Sequence, residues 1–263
     1  MALIVNIDSD YGKRIFEEAK CKIFTFGIEE EADFRAIDIV TKPDNVEFKL
    51  VSLFDQGEIK VNIPGKFSIY NALAAISACL LMKIPFTYIR KGLEKVSVPG
   101  RAEVIEINKD YTMMIDYAHS PDSLYNILST IKEYAPGRLI CLFGCGGDRD
   151  KTKRPIMGEI AGEIADFTIV TSDNPRTEEP IDIINDILVG IKKISNQYKV
   201  IVDRREAIKY TMLNAKEQDI IILVGKGHET YQIFKDKTIH FDEKEVVKEI
   251  LLEINGKWQE KFF

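Results

Sequence analysis

The chain has 263 residues, 45% hydrophobic and 30% charged, with a formal net charge of −6. That is enough apolar material to fill real cores, and the length suits one large or two ordinary domains. The acidic balance offers no basic surface for a polyanion, so no nucleic-acid partner is expected. No apolar run reaches the ~18 residues of a membrane-spanning helix, and MALIVNIDSD lacks the basic region and apolar length of a signal peptide. A cytoplasmic protein without a membrane partner is expected. Only Cys141 and Cys145, of Cys21, Cys79, Cys141 and Cys145, are close in sequence. The histidines are not spaced as metal ligands, so no metal site and no disulfide is expected, and all four thiols are expected reduced and buried.

In chain order, Ala2–Ile7 reads as a strand, Asp10–Lys20 as a short helix and Lys22–Phe26 as a second strand. Phe34–Val40, Val46–Phe54 and Glu58–Ile63 alternate as strands do, broken by Pro43-Asp44-Asn45 and Asp55-Gln56-Gly57 turns. An Ala- and Leu-rich helix follows from Asn71 to Met82, then a helix over Thr87–Val96. Val98-Pro99-Gly100-Arg101 punctuates the chain and divides it into residues 1–98 and 99–263.

The second block alternates more regularly. Thr112–Tyr117 is a strand, and Ser120-Pro121 starts a helix with Ser at the cap and Pro at the first position. Leu124, Ile127, Leu128 and Ile131 form its buried face. Arg138–Phe143 is a strand, Arg154–Ala165 a helix and Asp166–Thr171 a strand. Ile181, Ile184, Leu188 and Ile191 line the next helix. Lys199–Val202 is a strand, and Asp203 with Glu206 forms a capping box. Asp219–Val224 is near-continuously apolar, as when both faces of a strand are covered. Tyr231–Phe234 and Thr238–Phe241 form a hairpin, Asp242 and Glu245 cap a last helix, and residues 255–263 read as a loose tail. Five β-then-α steps in a row predict an α/β, doubly wound, mostly parallel sheet.

Placed on this map, the unusual polar residues collect at strand ends: Asp116 and Ala118-His119-Ser120, then Gly144 to Asp150 with Arg149, then Asp173-Asn174-Pro175-Arg176, then Gly225-Lys226-Gly227-His228-Glu229. Loops at the carboxyl ends of parallel strands share one edge, where open α/β sheets bind ligands. Arginine grips a carboxylate through two parallel N–H bonds, and Asp, Asn and Glu accept from an ammonium. Taken alone, the tetrapeptide at 173–176 also fits a plain Asn-Pro turn. The glycines after Phe143 fail the dinucleotide pattern, because Arg149 stands where the third glycine would be, and Gly225-Lys226-Gly227 lacks phosphate-loop spacing. Ser68 and Asn71, one turn apart, can read an adenine edge or cap their helix.

Together, IPGKFSIYNALAA, VPGRAE, IDYAHSPDSL, FGCGGDRDKTKRPIMG, TSDNPRTEEP and VGKGHETYQ resemble the Mur ligases of peptidoglycan synthesis, most of all the branch that adds the third stem-peptide residue. The resemblance runs nearly end to end. It implies a Rossmann-like C-terminal domain preceded by part of the central α/β ATP-binding domain. It further implies an ATP- and Mg2+-dependent ligase that joins meso-diaminopimelate to a UDP-N-acetylmuramoyl-dipeptide (UDP-MurNAc-dipeptide) through an acyl phosphate. Asn71, Arg101 and Asp116 match positions holding the adenine, phosphates and ribose of ATP, while Ser68 stands where the family usually has Asn. Arg149, Asn174 and Arg176, with Asp173, Pro175, Gly225 and Glu229, match the diaminopimelate site, and Asp-Asn-Pro-Arg is the family's mark for that amino acid. His119 is the one catalytic candidate.

The sequence contains no Gly-x-x-Gly-Lys-Thr/Ser. The resemblance therefore covers the end of the central domain and the whole C-terminal domain, and no ligation is expected from this chain alone, because phosphoryl transfer depends on cradling the phosphates. ATP and Mg2+ would both need the part that carries that loop. The first block is also expected to expose a sheet edge. A stand-alone amino-acid-binding module, or a folate- or cyanophycin-type ligase of the same superfamily, is the alternative.

Overall fold

The computed structural model describes residues 2–42 and 45–260, so Pro43 and Asp44 of the expected turn lie outside the described residues. The chain divides into two compact units, Met1–Ser97 and Val98–Phe263.

The first unit runs β1 (Ala2–Asn6), α1 (Asp10–Glu18), β2 (Lys22–Gly27), β3 (Phe34–Thr41), β4 (Val46–Ser52), β5 (Gln56–Val61), α2 (Lys66–Leu81) and α3 (Phe86–Leu93). Its sheet has the order β1-β2-β3-β4-β5. The first three strands are parallel, and β3-β4 and β4-β5 are antiparallel. Ile69, Leu73 and Ile76 of α2 are fully buried against Phe34, Phe48 and Leu50, and each such side chain contributes about 1.5–3 kcal/mol by leaving water. The helix begins at Lys66 rather than Asn71, with Gly65 at its cap and no side-chain capping bond. Ser68 and Asn71 therefore lie inside the helix, and the capping reading of both is corrected. The Ser68 hydroxyl instead donates back to the Pro64 carbonyl at 3.0 Å.

The second unit opens with a strand that the sequence did not announce, β6 (Glu103–Ile105), followed by β7 (Thr112–Asp116), α4 (Pro121–Tyr134), β8 (Leu139–Phe143), α5 (Lys153–Ile164), β9 (Phe167–Val170), α6 (Pro180–Ile194), β10 (Tyr198–Val200), α7 (Arg204–Leu213) and β11 (Ile220–Val224). A hairpin of β12 (Tyr231–Ile233) and β13 (Thr238–His240) leads into α8 (Glu243–Glu260). The sheet order is β10-β9-β8-β11-β7-β6, parallel throughout except for β6.

Met113, Ile115, Ile140, Leu142, Ile169, Ile221 and Leu223 share a core with α7 and α8. The intervening Met114, Cys141, Phe143, Val170, Ile222 and Val224 are equally buried and face the other way, as the two-residue strand period requires. There α4, α5 and α6 pack side by side. Helices on both faces make the sheet doubly wound, as expected.

Local chemistry sets the helix starts. Ser120 and Ser123 cap α4 reciprocally. Asp203 caps α7 by accepting from the Glu206 N–H at 2.9 Å, but only this half of the expected capping box forms. Asp242 accepts from the N–H groups of Lys244 and Glu245 at the start of α8. That helix continues to Glu260, which corrects the loose tail for residues 255–260: no proline interrupts the run. Cys21 and Cys79 are only half-buried, unlike the buried Cys141 and Cys145, and all four are free thiols. Among the described residues no helix is long and apolar enough to cross a membrane.

Candidate functional site

The strand order reverses between β8 and β11, which places a crevice at their carboxyl ends. The loops after β7, β8, β9 and β11 all leave from that edge. The loop after β9 is the most heavily tied. Asn174 is buried, and its amide is fixed at both ends. Its Oδ1 accepts from Lys226 Nζ at 3.1 Å and from the Ile233 N–H at 3.0 Å, while Nδ2 donates to Glu229 Oε2 at 2.8 Å. Asp173, also buried, lies 3.4 Å from Lys226 Nζ through Oδ1, an oxygen that has no hydrogen bond. Arg176 adopts a left-handed φ of 53°. Its backbone N–H donates to the Ile233 carbonyl at 3.1 Å and its Nη1 to the Gly147 carbonyl at 2.8 Å. The segment Asp173–Arg176 is thus more than a surface turn: its side chains are built into the sheet edge.

The glycine loop after β8 closes on this wall. The Gly147 N–H donates to the Asn174 carbonyl at 2.9 Å. A Cβ on Gly147 would fall 1.9 Å from the Pro175 carbonyl oxygen, so the two backbones meet where only glycine fits. A Cβ on Gly146 would lie 2.9 Å from Arg176 Nη1 and 3.8 Å from Arg149 Cγ. The two arginines therefore approach the same glycine, Arg149 exposed and Arg176 half-buried. Beneath them the buried Arg154 grips Glu178 with both terminal nitrogens, at 3.0 and 2.8 Å, and Asp186 at 2.9 Å. The Arg154 guanidinium holds the Glu178 carboxyl well below the usual carboxylate range. Glu178 also accepts from the Asp148 N–H at 2.7 Å, tying the glycine loop to the segment after Arg176.

Lys226 was named in the sequence only as part of its loop, with no role assigned to it. It is fully buried, donates to the Tyr231 carbonyl at 2.7 Å and lies 3.7 Å from Glu229. Burial pushes its ammonium pKa down, and the nearby Asp173 and Glu229 carboxylates oppose that. Its position directly after a continuous apolar strand was the available signal for burial. Gly225 and Gly227 on either side take φ of 115° and 54°, conformations that L side chains rarely adopt. The Gly225 N–H donates to the Asp116 carbonyl at 3.0 Å. Arg204, Gln232 and Glu243, also missed, lie buried below. Gln232 donates to the Asp173 carbonyl at 2.7 Å.

The loop after β7 forms a second cluster. Asp116 is buried and accepts from the N–H groups of Ala102 and Ala118 at 2.8 and 2.7 Å. Burial raises its pKa, against those two bonds and the charge of Arg101. Arg101 is exposed, its guanidinium 4.9 Å over the Tyr117 ring. The His119 and His228 rings lie 4.9 and 5.1 Å from Tyr117. His119 is exposed, with Nδ1 3.0 Å from the Tyr117 carbonyl, so its sidechain partner is its own loop. A Cβ on Gly100 would fall 2.2 Å from the His228 nitrogen, which seats Pro99-Gly100-Arg101 against the loop after β11. Asn71 belongs to the first unit, exposed on α2.

Comparisons with known proteins agree with this architecture. The sequence profile described as "Mur ligase middle domain" matches residues 1–79, and that described as "Mur ligase, glutamate ligase domain" matches residues 100–227. Among curated proteins, the chain is 52% identical over 252 residues to the UDP-N-acetylmuramoyl-L-alanyl-D-glutamate--2,6-diaminopimelate ligase of Caldanaerobacter subterraneus subsp. tengcongensis, covering 96% of this chain and 52% of that protein. It is 49% identical over 254 residues to a ligase of the same name from Clostridium acetobutylicum, covering 95% of this chain and 52% of that protein. The chain thus spans about half the length of the curated relatives it matches. A solved structure of a UDP-N-acetylmuramoyl-L-alanyl-D-glutamate--2,6-diaminopimelate ligase is 32% identical with a TM-score of 0.62, covering 97% of this chain and 53% of that one. A pseudomurein peptide ligase type C from Methanothermus fervidus shares the fold, at 21% identity and a TM-score of 0.70 over 96% of this chain and 56% of that one.

Proposed function

The chain belongs to the Mur ligase family, and from that premise we propose that its second unit holds meso-diaminopimelate for ligation to UDP-N-acetylmuramoyl-L-alanyl-D-glutamate, in cytoplasmic peptidoglycan synthesis. The observation that carries this reading is the Asn174 amide, fixed between Lys226 and Glu229 beside two arginines that approach one glycine. Diaminopimelate carries two carboxylates and two ammonium groups. Arg149 and Arg176 supply forked donors for a carboxylate, and Asp173 and Glu229 accept from an ammonium. Pro175 and Gly225 shape the wall between them.

In the proposed reaction ATP phosphorylates the acceptor's terminal carboxylate, the diaminopimelate amine attacks that acyl phosphate, and amide, ADP and phosphate result. Toward ATP, the candidates are Arg101 and Asp116 in the second unit and, separately, Asn71 in the first. Each Asp116 oxygen accepts one backbone amide and keeps a further acceptor site, which fits a ribose hydroxyl, and the exposed Arg101 guanidinium fits a phosphate. Among the described residues no group of three His, Cys, Asp or Glu is placed to hold a metal ion. His119 remains the catalytic candidate: its Nδ1 lies 3.0 Å from the Tyr117 carbonyl and its ring is exposed, an arrangement that orients the ring and leaves Nε2 to act.

Calorimetry on the chain tests the amino-acid reading. Meso-diaminopimelate binds, and L-lysine, which lacks the second carboxylate, binds at least about tenfold more weakly, since a charge-assisted bond contributes about 1.5–3 kcal/mol. Equal affinity for both, or none for either, overturns it. Ligation by the chain alone, measured as amide formed from ATP, magnesium and both substrates, is expected to be nil.

A further inference from the structure

Arg204 is the first residue of α7 and Glu243 the first residue of α8, and the side chains of both are wholly buried. Arg204 Nε donates to Glu243 Oε1 at 2.9 Å, and Nη2 lies 2.8 Å from the same oxygen in an ion pair. The guanidinium then reaches two strand ends at once. Its Nη2 donates to the Val224 carbonyl at 2.9 Å and its Nη1 to the Ser172 carbonyl at 3.4 Å. Ser172 immediately precedes Asp173, and Val224 immediately precedes Gly225, so one planar fork spans the roots of the loops after β9 and β11. Those loops carry Asn174 and Glu229, whose side chains must meet at 2.8 Å. Glu243 anchors the fork from the far side of the β12–β13 hairpin, the hairpin that supplies the Tyr231 carbonyl to Lys226 and the Ile233 N–H to Asn174.

We propose that the Arg204–Glu243 pair is a positioning element of the amino-acid site, setting the separation of the two loops that form its inner wall. A buried ion pair is a poor source of net stability, because desolvation offsets the attraction. Its particular offering here is geometric: five fixed N–H donors in a plane, of which a lysine would supply none in that arrangement. The inference deepens the proposed function and rests on it for the identity of the ligand, though not for the loop geometry.

The test is hydrogen exchange with and without meso-diaminopimelate on the full chain, comparing wild type with Arg204→Lys, which keeps the charge and loses the fork. The expected result is exchange faster by about tenfold over residues 172–176 and 224–229, with α4 residues 124–131 unchanged, and affinity for the amino acid reduced by about tenfold, the equivalent of one charge-assisted bond. Unchanged exchange in the two loops, or an increase spread evenly over the sheet, overturns the proposal, because a purely structural pair would loosen the whole unit. If Arg204→Lys does not fold, Glu243→Gln is read by the same criterion. If the wild type binds no diaminopimelate, the proposed function fails while the exchange comparison still decides the positioning role.

Discussion

The inner wall and the outer rim of the candidate site are built on opposite principles. On the wall, Asp173, Asn174 and Lys226 are buried and already answer one another. On the rim, Arg101, His119, Arg149 and His228 are exposed, held by tilted ring or cation–ring contacts with Tyr117 or by their own loop backbone. The wall's polar groups were desolvated when the protein folded, so they receive a ligand without rearranging. The rim's charged groups remain hydrated until a ligand arrives. Substitutions in the wall should therefore register first as lost stability, and substitutions on the rim as lost affinity with stability intact.

The largest effect should come from removing the wall's central cation. Lys226→Met deletes the buried ammonium that faces Asp173, Asn174 and Glu229. It leaves a buried carboxylate uncompensated, a situation that costs about 3–5 kcal/mol. Thermal and urea unfolding should show the loss. A variant as stable as wild type would mean that the wall is not preset in the way described. The next effect tests the contact between wall and glycine loop. Gly147→Ala places a methyl 1.9 Å from the Pro175 carbonyl oxygen, so one backbone must move, at about 1–3 kcal/mol. The same unfolding measurements check it, and diaminopimelate affinity should fall with it because the Asn174 carbonyl loses its Gly147 partner.

Acid should loosen the wall's foundation. Glu178 has a folded-state pKa depressed from the ordinary 4.5, chiefly by Arg154. A depressed carboxyl stabilises the fold above its unfolded pKa and loses that contribution as pH falls toward the folded one. Stability of the wild type should therefore decline as pH drops below about 4.5, and Glu178→Gln should start lower and decline less steeply. Parallel pH profiles for the two proteins would separate Glu178 from the effect.

The second unit's fold was legible because its signals are local. Serine before proline, aspartate three residues before a helix-facing glutamate, and apolar residues at helical spacing each act within one turn. β6 escaped notice because three residues at a sheet edge, with only Ile105 buried, give no alternation to read. The early start of α2 escaped because Gly65, not a side chain, stands at its cap. The site was legible as a set of loops, since Asn174, Arg176 and Glu229 sit at strand ends. Its buried supports were not. Lys226 stood only in a loop that lacks phosphate-loop spacing, and Arg204 and Glu243 gave no signal of their own. What makes them important is that residues far apart in sequence, such as Ser172, Val224 and Glu243, close around one guanidinium, and spacing alone carries no trace of that.

The smallest change in stability should accompany a change in binding, and Arg149 is where the two should separate. Its guanidinium is exposed and donates through Nη1 to the carbonyl of its neighbour Asp148 at 3.0 Å. Removing such a group costs the fold little, within about 0.5 kcal/mol. Arg149→Gln keeps much of the side-chain length and removes the charged fork. If Arg149 receives a ligand carboxylate, diaminopimelate affinity should drop by about tenfold or more, the worth of one charge-assisted bond. L-lysine affinity should change much less, because lysine lacks the second carboxylate. Calorimetry of the variant with both amino acids, beside its melting curve, reads all three quantities. Equal losses for the two ligands would move Arg149 to the carboxylate they share, and a large fall in melting temperature would place it with the wall rather than the rim.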